Sequence, residues 1–244
     1  MTSLGFFFSC YKEKKAVEYS LSELVKYYPD SPIYLVSDGG EDFSYLELKF
    51  KNLKTTLEED TMSETFKITG ELDTGNFREE YYQGVIKKCA FAVLDRLKRA
   101  IHFCKTDYIL MMDPDTLVRG TLNIPNGVKL LGSRVNSGMP SGVKEILKTV
   151  EGAKVIDCWG ATPAIFEVET FLKSVKNLES NIEIFDKLSN QFYAMYAHDV
   201  LLPILFALIG EEEIFNPDII ECNRNPFWRF TPNPLVHQFK DFYE

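Results

Sequence analysis

The chain has no long hydrophobic run, no excess of positive charge, no CxxC pair and no Asn-x-Ser/Thr sequon with a permitted middle residue. Each absence excludes something. The apolar stretch in the opening "MTSLGFFFSCYKEKK" is too short for a signal peptide or a membrane span, so no membrane span is expected. A formal net charge of -9 and a pI of about 5.0 argue against nucleic acid or an anionic membrane as the main partner, since both favour a basic face. The five cysteines (Cys10, Cys89, Cys104, Cys158 and Cys222) are odd in number and suit a reducing compartment. The missing sequon fits a chain that never meets a glycosylation machinery. A cytoplasmic chain is expected. Repeats, low-complexity tracts and linkers are missing too, so residues 1–244 read as a single domain. What is present is apolar mass: 45% hydrophobic and 14% aromatic residues are enough for a substantial buried core.

The order of elements points to an α/β class. "LGFFFS" reads as a buried strand at residues 4–9. Residues 16–28 place Val17, Leu21, Leu24, Val25 and Tyr28 on one helical face. "IYLVSDGG" is a second strand ending at Asp38, and strand–helix–strand within about forty residues is a βαβ unit with parallel strands. "YLELKF" (45–50) alternates as a further strand, and "LDTGNF" reads as a loop. A long helical pattern covers 80–103. The strand "DYILMM" follows, then "VKLLGS" as a strand and "RVNSGMPSG" as a mobile loop. A short helix is expected at 143–149, and "DCWGATPAIFEV" reads as a glycine-containing turn entering a strand. Helices are expected at 170–177, 182–193 and 199–209, and the Pro- and Asn-rich tail is expected to be largely irregular.

Chemistry concentrates in "YILMMDPDTLVRG". Asp113 and Asp115 flank a proline where the chain has just left the core. Like charges that close repel, and each resists desolvation, so a compensating cation is needed: a buried arginine, a divalent metal, or water at a surface turn. In a parallel sheet, ligands gather at the carboxyl ends of the strands, where this pair emerges. Mg²⁺ or Mn²⁺ is typically held by one or two carboxylates, with sites left for diphosphate oxygens.

In the order of these motifs the sequence resembles the GT-A glycosyltransferases, metal-dependent enzymes that use nucleotide-diphosphate sugars. The resemblance spans almost the whole chain. It implies a Rossmann-like, mixed, mainly parallel central sheet flanked by helices, with residues 1–115 as the nucleotide-binding half and 116–244 as the acceptor-binding half and C-terminal tail. Asp38 at the end of "IYLVSD" takes the place of an acidic residue that contacts the base or ribose. The helix "GVIKKCAFAVLDRLKRA" brings basic residues towards the nucleotide, with Lys87 or Arg96, or Arg134 further on, as candidates for the phosphates. "YILMMDPD" matches the DxD motif. "DCWGATPAIF" is similar to the element that lines the donor sugar, around Trp159, Gly160 and Ala161. Asp199 in "AHDVLLPILFALIG" takes the position of the catalytic base. "VHQFK" supplies His237 as a further metal ligand and Lys240 for the diphosphate. The compact, unanchored form is similar to small transferase domains encoded by large algal viruses.

The implied activity is a hexosyl- or pentosyltransferase. It would move a sugar from a UDP-sugar, or next a GDP-sugar, to a glycan or other hydroxyl acceptor with inversion, using Mn²⁺ or Mg²⁺ on Asp113, Asp115 and His237. The loop 133–142 is then expected to close over the donor. Each residue also has a plain structural role: Asp38 as a turn-former before Gly39 and Gly40, Asp199 as a helix N-cap, His237 as a tail residue. Two rival functions stand beside this one. A haloacid-dehalogenase-type phosphatase also places Asp-x-Asp after a hydrophobic strand, but near the N-terminus, whereas here a whole βαβ unit comes first. A non-catalytic sugar-nucleotide-binding module would keep the pocket without needing Asp199.

Overall fold

The computed structural model describes residues 2–58, 79–221, 229 and 232–239. In chain order the strands and helices are β1 (Leu4–Cys10), α1 (Lys14–Tyr27), β2 (Ile33–Asp38), β3 (Leu53–Glu58), α2 (Glu79–Cys104), β4 (Tyr108–Met112), β5 (Thr116–Val118) and β6 (Leu130–Gly138). They continue with α3 (Ser141–Thr149), β7 (Cys158–Glu167), α4 (Val168–Ser180), α5 (Ile182–Gln191), α6 (His198–Ala207), β8 (Glu213–Phe215), β9 (Ile219–Glu221) and β10 (Leu235–His237).

Seven strands form one sheet in the order β3-β2-β1-β4-β7-β6-β8. The first four run parallel, β7 runs against both its neighbours, and β8 is again parallel to β6. The fold class is therefore α/β with a mixed, mainly parallel sheet flanked by helices, as expected. Strands from both expected halves share it. The chain steps from β1 to β2 on one side and returns to β4 on the other, which leaves a crevice at the carboxyl ends of β1 and β4. Asp113 begins there.

The aromatic run in β1 shows how the layers are filled. Side chains alternate across a strand. Phe7 packs on the face covered by α2 and the later helices, while Phe6 and Phe8 pack on the α1 face. All three are essentially inaccessible. On that second face lies a three-stranded sheet in the order β5-β10-β9. Leu117 of β5 and Val236 of β10 join Ala16 of α1 in a small apolar cluster, and Ser20 Oγ of α1 donates to the Thr116 carbonyl at 2.5 Å. Helix α6 is buried from Val200 to Ala207, and its first turn, His198 and Asp199, is partly exposed. Among the described residues no helix is long and apolar enough to cross a membrane.

Several expectations need correction. "YLELKF" is not a strand: Ser44–Leu48 is a 3-10 turn, and β3 lies further on at 53–58. Leu46, Leu48 and Phe50 alternate in the sequence, but Phe43 and Leu46 are buried while Leu48 is 93% exposed. The spacing that packs is three, not two. The stretch read as a mobile loop is largely the second half of β6, which pairs with β7 from Arg134↔Gly160 to Gly138↔Cys158. A lid at 133–142 therefore has no basis. "DCWGAT" is likewise strand rather than turn, since β7 runs unbroken from Cys158. The first carries Asn, Ser and Gly and the second Asp, Gly and Ala, residues poor in strands, and the pairing of the two overrides this. The tail, expected to be largely irregular, contributes the two three-residue strands β9 and β10. "LDTGNF" lies outside the described residues.

The correction at 45–50 has a measurable consequence. Phe8→Ala should lower stability by about 3–5 kcal/mol, whereas Leu48→Ala should change it by no more than about 0.5 kcal/mol. Urea denaturation of the two variants checks the contrast, and a large loss in Leu48→Ala would restore the strand.

Candidate active site

Three segments meet at the carboxyl edge of the sheet. The first is the turn leaving β4. The Thr116 N–H donates to the Asp113 carbonyl at 3.0 Å, and the Asp113 N–H reaches Thr116 Oγ1 at 3.3 Å, so the Asp-Pro-Asp segment closes on itself. The second is β10, whose antiparallel pairing with β5 sets His237 opposite Thr116. Gln238 then takes a left-handed conformation (φ 61°), and the Phe239 N–H donates to the Asp115 carbonyl at 3.3 Å. The third is the start of α6, carrying His198 and Asp199.

This arrangement brings together residues more than 120 positions apart in sequence. One ligand atom each from Asp113, Asp115 and His237 lie within 4.8 Å of one another, and His237 Nε2 is 3.6 Å from Asp115 Oδ1. Asp115 and His237 are buried and Asp113 is partly exposed. Two carboxylate oxygens and one imidazole nitrogen converging at a half-open position could hold a divalent cation, with further coordination positions left for a ligand. The donor set contains no thiolate. Cys10, at the end of β1, is nearby, but burial, and then the charges of Asp113 and Glu13, push its pKa well up, so it stays a neutral thiol.

Asp199 sits beside this cluster. It is not the N-cap of α6, a position held by Ala197, but lies in the first turn, where the helix N-terminus favours a carboxylate. Thr162 Oγ1 donates to Asp199 Oδ1 at 3.1 Å. His198 Nε2 lies 2.9 Å from the same oxygen and 3.6 Å from Asp113 Oδ1, in ion-pair range of both but aligned for a hydrogen bond with neither. Burial opposes a charge on His198, yet the carboxylates of Asp199 and Asp113 outweigh it and hold its pKa well above the ordinary value. For Asp199 burial acts upward, but His198 and the Thr162 hydroxyl overcome it, and its pKa is lowered. Asp113, His198 and Asp199 thus form one charged row.

Next to that row is a small half-open cavity whose interior, about 10 Å³, has room for one water-sized group. Met111, Leu130, Leu202 and Pro203 supply apolar wall; Thr162, His198, Asp199 and Glu213 supply the polar groups. Glu213 was missed in the sequence, where "GEEEIF" looks like a solvated acidic turn. In the fold it opens β8, opposite Leu130 of β6. Its side chain crosses bare backbone: a Cβ on Gly132 or on Gly160 would overlap its carboxyl group. The Gly160 N–H donates to it. Burial is the main cause that pushes the Glu213 pKa up to about 8, the Asp199 charge adds to this, and the Gly160 N–H opposes it. The signal that would have found it is the pair of glycines facing one acid, and only the strand order makes that pair visible.

The other expected site residues fall as follows. Asp38 ends β2 and is buried, with both carboxylate oxygens accepting from Arg96 at 2.8 and 2.9 Å. Arg96 Nε also donates to Glu58 at 2.7 Å. Of the basic residues considered for the phosphates, Arg96 is thus engaged at the far end of the edge, and Lys87 pairs with Asp186 at 2.9 Å. Trp159, Gly160 and Ala161 lie within β7, and the side chains of Trp159, Ala161 and Arg134 are outside what the structure describes. Lys240 lies outside the described residues.

No family model matches the chain, and no curated protein matches it. Among solved structures the chain is similar to the galactosyltransferase LgtC in complex with donor and acceptor sugar analogs. That similarity has 13% sequence identity, covers 96% of this chain and 86% of that chain, and has a TM-score of 0.42.

Glu213 gives a stability test with a definite sign. A folded-state pKa of about 8 lies above the ordinary glutamate range, so the folded protein keeps a proton that the unfolded chain releases. Stability is full at acid pH and falls as pH rises towards the folded value, by up to about 1.4 kcal/mol per pH unit for this one group. Urea midpoints of wild type and Glu213→Gln between pH 5 and 9 should show this decline in the wild type only. Parallel profiles would contradict the buried neutral carboxyl.

Proposed function

We propose that the chain is a metal-dependent glycosyltransferase that moves a sugar from a nucleotide-diphosphate donor, a UDP-sugar first, to a glycan or other hydroxyl acceptor. The observation that carries this is the convergence of Asp113, Asp115 and His237 within 4.8 Å at the carboxyl edge of the sheet, beside an acid-lined cavity. Asp113, Asp115 and His237 are the residues that would hold Mn²⁺ or Mg²⁺. Such an ion supplies Lewis-acid neutralisation of the diphosphate leaving group.

The chain's own residues supply the rest. His198, held protonated between Asp113 and Asp199, places a fixed positive charge where negative charge grows on the leaving phosphate. Lys240, three residues after His237, is placed by sequence to add to it. Asp38, clasped by Arg96, forms the rim of the nucleotide site at the end of β2, and Gly160 lines the sugar side. Asp199 takes the proton of the acceptor hydroxyl, and attack opposite the leaving group inverts the anomeric centre.

A second course is favoured by one observation. His198 and Thr162 lower the basicity of Asp199, which weakens it as a proton acceptor and strengthens it as a fixed negative charge beside a cationic anomeric carbon. In that role the product retains configuration. The phosphatase alternative has less support, because a nucleophilic aspartate needs no imidazole converging on its partner.

Calorimetric titration with UDP and GDP, with and without Mn²⁺, tests the donor site. Binding of one nucleotide that requires Mn²⁺ and is lost in Asp113→Ala/Asp115→Ala is expected. Absence of nucleotide binding in every condition would reduce the aspartate pair to an acidic turn.

A further inference from the structure

We infer that Glu213 is a specificity-determining residue for the donor sugar: its carboxyl group, seated over Gly132 and Gly160 on the floor of the cavity, exchanges hydrogen bonds with a hydroxyl of the sugar ring. This rests on the transferase reading and names a residue that reads the sugar rather than the nucleotide.

Three independent features of the structure support it. The first is the route of the side chain. β8 is the last strand of the sheet, so its side chains are far from the edge where Asp113 emerges, yet the Glu213 side chain reaches inward over β6 to β7. That reach needs two positions on one sheet face to lack a Cβ. Gly132 is two residues beyond Leu130, the register partner of Glu213, and so shares its face, and Gly160 sits on the adjoining strand. An acid needed only for solubility would point outward, where β8 already exposes Ile214 and Phe215.

The second feature is unspent hydrogen-bonding capacity. A carboxyl group offers several acceptor sites, and a donor when protonated, and among the described residues the Gly160 N–H occupies one of them. The remaining capacity faces a cavity whose other polar groups are Thr162, His198 and Asp199. That space takes a group the size of one water, so it receives a single hydroxyl of a ring lying over its mouth, and the donor and acceptor groups that converge there suit one.

The third is position along the charged row. Asp113 belongs to the cation cluster, His198 stands 3.6 Å from it, and Asp199 stands 2.9 Å from His198. Asp199 and Glu213 line the same cavity. A sugar joined to a diphosphate held at the aspartate pair extends past His198 and Asp199 and meets Glu213 with its ring. The partly buried carboxyl, its pKa pushed up to about 8, donates as well as accepts there.

The test compares sugar nucleotides with the bare nucleotide. UDP, UDP-glucose, UDP-galactose and UDP-N-acetylglucosamine, and the corresponding GDP, GDP-mannose and GDP-fucose, are titrated with Mn²⁺ into the full chain as wild type, Glu213→Gln and Glu213→Ala. The bare nucleotide should bind all three within about twofold, because the cation cluster is untouched. The best-bound sugar nucleotide should lose about tenfold or more in Glu213→Ala, the worth of a buried hydrogen bond left unmade. Gln, which keeps both a donor and an acceptor, should recover most of that loss. Equal weakening of nucleotide and sugar nucleotide in Glu213→Ala would make Glu213 a structural residue and overturn the assignment. So would an unchanged ratio between them. If wild type binds no nucleotide at all, the transferase reading itself fails and takes this one with it.

Discussion

Two carboxylates one residue apart, at the mouth of a fully buried strand, are the constraint from which the rest of this structure follows. Repulsion and desolvation both act against Asp113 and Asp115, and the fold answers with two imidazoles. His237 approaches Asp115 through the β5–β10 pairing, and His198 approaches Asp113 from the start of α6. Neither histidine is near the aspartates in sequence. The long return of the tail to β5, the sharp turn at Gln238 and the anchoring of α6 by its buried body are the means by which the compensation is delivered. A cation held between Asp113, Asp115 and His237 would complete the neutralisation, which favours the proposed metal centre over a solvated turn.

A gradient of protonation runs away from that centre. His198 is held charged, Asp199 is held ionised by His198 and Thr162, and Glu213 is pushed, chiefly by burial, towards the neutral form. Two acids on one cavity are thereby driven to opposite states. Such a split assigns distinct roles to chemically similar groups. The ionised one is suited to electrostatic work or proton uptake, and the neutral one to hydrogen bonding. The two glycines that admit Glu213 show that the sheet itself is shaped around this second acid.

Much of the framework was legible in the sequence because it is local. The alternation in "LGFFFS", the 3.6-residue pattern of α2 and the run "YILMM" each carry their own signal, and their order implies parallel strands. The aspartate pair was legible for the same reason. What escaped is what depends on a partner far along the chain. Residues 134–138 have the composition of a loop and become strand only because β7 is there to pair with them. "YLELKF" alternates like a strand, yet the packing of Phe43 and Leu46 turns it into a 3-10 segment. His237 was identified beside a plain reading as a tail residue, and only the register of β10 against β5 separates the two. Glu213 left no trace, since its meaning lies in glycines 81 and 53 residues upstream. Asp38 was visible as an acid at a strand end, but not its bidentate clasp by Arg96 from the next long helix.

The central claim is that the two aspartates and His237 act as one cation site. Electron paramagnetic resonance of Mn²⁺, titrated into the full chain in the presence of UDP, tests it most directly. The account predicts loss of the free-ion signal to a single saturable site in wild type, with binding weakened in His237→Ala and abolished in Asp115→Ala. Indistinguishable titrations of wild type and both variants would contradict it.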